Sequence, residues 1–237
     1  MSLWFHGATR KDGPDDKHGY SGVPEPLPKL GAVYHSMEGS MATALRMLAN
    51  PAVRASWTFS NGKDGTLLAH YSADYHVWTN GSKESNTKFV GVENEGKAGE
   101  KLTKKQVDNL VVLTVWFHDV FKWPRIKRQE QLWEHNEMTR FGSAGTACPS
   151  DRIPWVRIQS RAEAIINALK EDDMTFIGVG ADEATIGTAQ FESWRLYVTA
   201  EGLRRDKIGS AGEREALQAA GYPLMKLKRT ELARYKV

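Results

Sequence analysis

The sequence carries one cysteine, Cys148, in Gly145-Thr146-Ala147-Cys148-Pro149-Ser150, together with seven histidines. A lone cysteine excludes an internal disulfide. It leaves three roles: buried filler, catalytic nucleophile or metal ligand. A nucleophile with His135 as its base is disfavoured by Pro149, which removes a backbone donor and the helix start that commonly activates a thiolate. Two histidines complete a different chemistry. His35 closes the apolar run Ala32-Val33-Tyr34-His35, and His135 lies in Leu132-Trp133-Glu134-His135-Asn136-Glu137. Two imidazoles and a thiolate make a tetrahedral zinc shell whose fourth position stays open to water, the pattern of a catalytic site. The three are remote in sequence and no compact two-ligand motif joins them. At this level, core histidines beside a buried cysteine remain the alternative.

The elements that must position these residues can be read from periodicity. Ala32–His35 is a short apolar strand. Ser40–Leu48 places Met41, Ala44, Leu45 and Leu48 on one helical face. Two strand-like runs, Ala55–Phe59 and Thr66–Tyr71, flank Asn61-Gly62-Lys63-Asp64-Gly65, a hairpin turn rich in residues that tolerate positive φ. Lys88–Glu93 reads as a further strand. Thr103-Lys104-Lys105-Gln106 matches a capping box, and Val107, Leu110, Val111, Thr114, Phe117 and Phe121 follow it at helical spacing. A second helix is expected from Pro154 to about Asp173. Residues 1–30, with three prolines in Pro24-Glu25-Pro26-Leu27-Pro28, read as an irregular arm lying over the core. These elements predict an α/β domain over residues 1–173. Gly178–Thr188, with three glycines, reads as a linker or exposed loop, so residues 174–190 are expected to lead into a small α+β unit at 191–237. That unit would hold a strand near Trp194–Thr199 and helices at 210–220 and 230–235.

Several short words follow in order along the chain: Val33-Tyr34-His35-Ser36, Ala55-Ser56-Trp57-Thr58-Phe59, Val77-Trp78 with Asn86, Phe89-Val90-Gly91-Val92-Glu93-Asn94-Glu95-Gly96, His135, and Thr146-Ala147-Cys148-Pro149. This set resembles the zinc-dependent N-acetylmuramoyl-L-alanine amidases that share a fold with peptidoglycan recognition proteins and phage lysozyme-type amidases. The resemblance covers residues 30–158 and implies a central mixed β-sheet flanked by helices. It implies hydrolysis of the amide between N-acetylmuramic acid and L-alanine of peptidoglycan, with Zn2+ held by His35, His135 and Cys148. On the same basis Glu93 matches a general base, and Thr146 a group beside the developing oxyanion. Trp57, Trp78 and Asn86 are the candidate substrate contacts. Trp57 stands where other branches have tyrosine, so no phenol acts there, and Thr79 stands where a histidine is common.

Bland readings attach to several neighbours. Glu93 and Glu95 share one face of a strand, so one of them is expected only to be solvated. Glu137 is the reserve carboxylate. His70 and His76 are expected at the cleft rim or behind the ligands, Glu38 as the cap of the helix that follows it, and Trp78 as either a sugar platform or a core residue.

A net charge of +3 argues against a nucleic-acid partner and suits an anionic surface. No apolar run approaches the roughly 20 residues that span a bilayer, and the N-terminus lacks the features of a secretory signal. A phage endolysin, held in the host cytoplasm until released onto the cell wall, fits these features. A cytoplasmic muropeptide-recycling amidase and a non-catalytic peptidoglycan-binding protein of the same fold are the alternatives, the second disfavoured by the cysteine. Residues 201–237 hold nine Lys/Arg against five Asp/Glu, as expected of a module for anionic wall polymers or, equally, of a packing appendage.

Overall fold

The computed structural model describes residues 3–170, 175–180, 192–199, 202–207 and 224–227. The chain divides into two compact units, Met1–Glu163 and Ala164–Val237.

The first unit is built on strand β2 (Gly31–Ser36), in which all six residues are buried. It runs parallel to β5 (Phe89–Asn94) on one side and to β6 (Leu132–Glu134) on the other. A strand buried on both faces needs no polar alternation, which is why Gly-Ala-Val-Tyr reads as a continuous apolar run. Outside β5 lies the antiparallel pair β3 (Phe59–Asn61) and β4 (Leu67–Ala69), joined across the Asn-Gly…Asp-Gly turn that the sequence marks. Strand β1 (Thr9–Arg10) completes a six-stranded mixed sheet of order β1-β4-β3-β5-β2-β6.

Helix α1 (Met41–Ala49) starts at Ser40, whose Oγ accepts a hydrogen bond from Thr43 N. The cap is therefore Ser40, and Glu38 instead accepts from Ala98 N at 3.0 Å. A six-residue helix α2 (Lys83–Lys88) precedes β5. The capping box forms at Thr103 and Gln106 and opens α3 (Lys104–Val120); α4 spans Trp155–Lys170. Tyr34 points at these last two helices. Its hydroxyl lies 2.5 Å from Thr114 Oγ1 of α3, and its ring stacks on Trp155 of α4 at 5.2 Å. Because side chains alternate along a strand, Val33 and His35 face the other way. Tyr34 thus belongs to the core, and His35 to the opposite face.

The arm is less irregular than expected. It contributes β1 and is anchored by two buried lysines, Lys17 and Lys29. Lys17 Nζ donates to the carbonyls of Leu48 and Asn50 at 2.7 and 2.6 Å, satisfying the end of α1 with a cation where the helix carries negative partial charge. Lys29 Nζ lies 2.8 Å from His76 Nδ1 and donates to the carbonyl of Thr87 at 3.0 Å. Burial lowers the Lys29 ammonium to a pKa of about 7. Arm carbonyls also complete the two histidines expected at the rim: His70 Nδ1 bonds Lys11 O and His76 Nε2 bonds Pro24 O. Both rings are buried, at 1% and 0% exposure, so neither sits on the surface.

In the second unit a four-stranded sheet has the order β10-β7-β8-β9, formed by β7 (Thr175–Gly180), β8 (Glu192–Thr199), β9 (Gly202–Lys207) and β10 (Leu224–Leu227). The β10–β7 pair is parallel and the other two are antiparallel. The expected strand at 194–199 falls within β8. Part of the expected linker is strand β7, whose glycines Gly178 and Gly180 pair with Trp194 and Glu192. The helices expected at 210–220 and 230–235 lie outside the described residues.

Candidate metal centre

Parallel register brings the site together. His35 pairs with Glu93 across β2 and β5, and Tyr34 pairs with Glu134 across β2 and β6, so His135 follows one step further beside His35. Neighbouring strands lie about 4.8 Å apart, and the two imidazole centroids are 4.6 Å apart. The carboxyl ends of parallel strands are where α/β sheets place ligands. Cys148 arrives from the loop after the 3-10 helix His135–Phe141, held by a 2.8 Å hydrogen bond from Asn136 N to its carbonyl.

The candidate ligand atoms of His35, His135 and Cys148 all lie within 4.8 Å of one another. Cys148 Sγ stands 3.9 Å from His35 Nδ1. Metal–ligand bonds of about 2.0–2.3 Å at tetrahedral angles separate neighbouring donors by about 3.3–3.7 Å, so a small shift would seat an ion.

The surroundings prepare the donors. Asn80 Nδ2 donates to the carbonyls of Ser85 and Phe89 at 3.3 and 3.2 Å, which fixes its amide. Its Oδ1 must then accept, and does so from His35 Nε2 at 2.9 Å. The proton is thereby held on Nε2 and the Nδ1 lone pair faces Cys148. Burial holds His35 well below the usual imidazole range, with His135 adding to the effect, and burial also lowers His135. Both shifts favour the neutral ring, the form that binds metal.

Burial pushes the Cys148 thiol up to about 12, helped by Glu93 and opposed by a 3.2 Å hydrogen bond from Ser36 N to Sγ. Burial, then Glu38, pushes the Glu93 carboxyl up to about 8. Two acidic groups, two neutral imidazoles and no cation among them make a centre short of positive charge. Zn2+ would supply that charge, and the donor set fits it.

The carboxylates separate clearly. Glu93 Oε1 lies 3.8 Å from His35 Nδ1, and its Oε2 is buried without a hydrogen-bond partner. Glu95 accepts from Met41 N and Lys63 N at 3.0 and 2.9 Å, so it ties the start of α1 to the hairpin turn. Glu137 is occupied by Arg128, which grips it through both Nη1 and Nη2 at 2.7 and 2.9 Å, and by Glu134 N.

Thr146 is exposed, and its Oγ1 accepts from Cys148 N at 3.2 Å, which leaves its hydroxyl proton available. Trp57, expected at the substrate, is a core residue at 5% exposure. It packs with Ala44, Leu48, Tyr71 and Val77 and donates to Ser60 Oγ at 2.7 Å. Trp78 and Asn86 do line a cleft of about 510 Å³. The Asn86 amide is already spent there, accepting from Asn80 N and donating to Tyr20 OH, each at 2.6 Å.

The sequence reading missed Asn80 and Arg152. Arg152 is 5% exposed and donates to Ser36 Oγ, Glu100 O and Glu95 O at 2.6, 2.8 and 2.9 Å, clamping the ends of β2 and β5 beneath Cys148. Gly96, with φ +118°, leaves the space: a Cβ there would come within 2.2 Å of Arg152 Nη2. Neither residue has a periodic or motif signal, since each acts through contacts remote in sequence. Asn80→Ala is expected to weaken metal binding by about 10–100-fold, as measured by competition against a chromophoric chelator. Unchanged affinity would show that the tautomer is fixed by other means.

The N-acetylmuramoyl-L-alanine amidase family, Amidase_2, matches residues 26–151. Among solved structures, a selenomethionine derivative of AmpD is similar with a TM-score of 0.52 at 19% identity, over 68% of this chain and 98% of that one. PlyL gives 0.51 at 15% identity over 65% and 96% of the two chains, and the catalytic domain of XlyA 0.50 at 17% over 65% and 97%. At these identities the likeness establishes the fold, a mixed six-stranded sheet with helices. No curated protein sequence matches. The family match spans more than half of the 237 residues, and the chain belongs to the N-acetylmuramoyl-L-alanine amidases, enzymes that hydrolyse peptidoglycan.

Proposed function

We propose that this amidase is a zinc-dependent endolysin that cleaves the bond between N-acetylmuramic acid and L-alanine. The observation that carries the reading is the convergence of His35, His135, Cys148 and the unpartnered Glu93 at the ends of adjacent strands. His35 through Nδ1, His135, and Cys148 as thiolate would hold the ion. Bound there, zinc would polarise the amide carbonyl and acidify a water to a pKa of about 7.

The chain's own groups supply the rest. Glu93 accepts the proton of the attacking water and returns one to the departing amine of L-alanine. With a dication bound beside it, the Glu93 carboxyl that burial raises to about 8 would ionise. Thr146 directs its hydroxyl proton toward the developing oxyanion, a neutral donor where a cation would do more. Asn80 and Arg152 keep His35 and the Cys148 loop in place.

The endolysin role is supported by the separate second unit and by the excess of four cations in residues 201–237, which suits anionic wall polymers. In this role the protein accumulates in the host cytoplasm and reaches the wall on release. Among the described residues no helix is long and apolar enough to cross a membrane.

Turbidity of intact wall suspensions tests the proposal. Lysis should appear with the protein, stop on chelation, resume with added Zn2+, and release new L-alanine amino groups without new reducing sugar ends. Cleavage of soluble muropeptides with intact walls left untouched would assign a recycling role instead.

A further inference from the structure

The polar contacts behind His35 form one chain that leads into the arm. Each link has a forced direction. The Asn80 backbone N–H can only donate, so the atom of Asn86 that faces it at 2.6 Å is the acceptor Oδ1. The Asn86 amide nitrogen is thereby turned the other way, where it donates to the Tyr20 hydroxyl oxygen at 2.6 Å. At the other end Asn80 presents its own Oδ1 to His35 Nε2 at 2.9 Å. Asn80 is fully buried and Asn86 is 4% exposed, so solvent is poorly placed to replace a lost partner. The family match begins at residue 26, and Tyr20 precedes it.

We propose that Tyr20 is a positioning residue of the metal centre, acting through Asn86 and Asn80 to hold the His35 imidazole with its proton on Nε2 and Nδ1 free for the ion. The inference rests on the zinc reading above. Three observations support it.

The first is that the arm is zipped to the segment leading into Asn80. His18 forms an antiparallel bridge with Val77, Gly19 N donates to His76 O at 2.9 Å, and Gly19 O accepts from Trp78 Nε1 at 3.2 Å. Tyr20 is therefore held in register beside Asn86. The second is that, among the described residues, the Asn86 side chain has no hydrogen-bond partner besides Asn80 and Tyr20. Removing the phenol oxygen leaves a buried amide N–H unpaired, and turning the amide to relieve it breaks the bond to Asn80 N. The third is that packing alone does not call for a hydroxyl. The Tyr20 ring lies 6.4 Å from that of Trp78, a contact that phenylalanine would make as well. Asn80 keeps its bonds to the carbonyls of Ser85 and Phe89 at 3.3 and 3.2 Å. Loss of the phenol should therefore loosen His35 without releasing it.

The test is a double-mutant cycle on the full chain, with Zn2+ affinity measured by competition against a chromophoric chelator. Tyr20→Phe should weaken zinc binding by about fivefold, the equivalent of one net hydrogen bond. In an Asn80→Ala background the same change should cost less than about twofold, because the path to His35 is already cut. A phenol that merely stabilised the arm would have the same effect in both backgrounds. Metal-free protein labelled at the histidine nitrogens gives a second readout by magnetic resonance, which needs no Asn80 variant. The wild type should show His35 protonated at Nε2, and Tyr20→Phe should admit the form protonated at Nδ1, with His135 unmoved. Unchanged zinc affinity in Tyr20→Phe, an equal loss in both backgrounds, or an unchanged His35 tautomer would overturn the positioning role while leaving the zinc reading intact. A wild type that binds no zinc would overturn that reading, and the role with it.

Discussion

Cys148→Ser is expected to remove stoichiometric zinc and to lower amidase turnover by at least about a thousandfold, with the fold preserved. A serine hydroxyl stays protonated near neutral pH, so the site loses both its anionic ligand and its soft donor. The polarisation a metal supplies is worth several kcal/mol, and about 4 kcal/mol corresponds to three decades of rate. The fold should survive because the loop is held by backbone: Cys148 O accepts from Asn136 N, and Arg152 clamps the strands beneath. The hydrogen bond from Ser36 N to the sulfur, at 3.2 Å, can be accepted by a hydroxyl. Metal content, turnover and thermal melting decide the matter together. Added zinc should stabilise the wild type by about 2.7 kcal/mol at a hundredfold excess over Kd, and the variant not at all. A variant that purifies with a full equivalent of zinc would move the ligands elsewhere.

Glu93→Gln is expected to lower kcat by about 10²–10⁴-fold, the usual range for a general base, with zinc content and melting temperature retained. Glutamine has nearly the same shape and cannot take a proton. Oε2 of Glu93 makes no hydrogen bond and the side chain is only 16% exposed, so the change to an amide breaks no hydrogen bond at that oxygen. Glu95 provides the control. Its oxygens hold Met41 N and Lys63 N, so Glu95→Gln should cost stability and leave kcat near that of the wild type. If the two variants exchanged these phenotypes, the base would be Glu95.

Much of the framework was legible in local signals. The Thr103–Gln106 box and the apolar spacing after it specify α3, because capping and amphipathicity act within one or two turns. The Asn-Gly…Asp-Gly segment specifies the β3–β4 hairpin for a similar reason. The short pieces escaped: β1 has two residues, β6 three and α2 six, too few to establish a period. The glycines of β7 imitate a linker because glycine lowers strand propensity, and pairing with β8 overrides that preference. Trp57 lies in the core, and His70 and His76 are buried and not on a surface rim, because residue type does not reveal which side of a sheet another segment covers. Here the arm caps both histidines with its carbonyls.

Local words in the chain carry the candidate donor set: one thiol, two imidazoles at strand ends and a carboxylate in a strand of the same ordered pattern. They can do so because those properties belong to the side chains and to words a few residues long. Which of these groups meet, and which keep an unpartnered atom, follows from the fold. Parallel register across β5, β2 and β6 sets His35 beside both Glu93 and His135, Asn80 selects the histidine nitrogen, and backbone donors claim Glu95 while sparing Glu93. These outcomes depend on strand order and on hydrogen bonds between residues tens of positions apart, which no local pattern encodes.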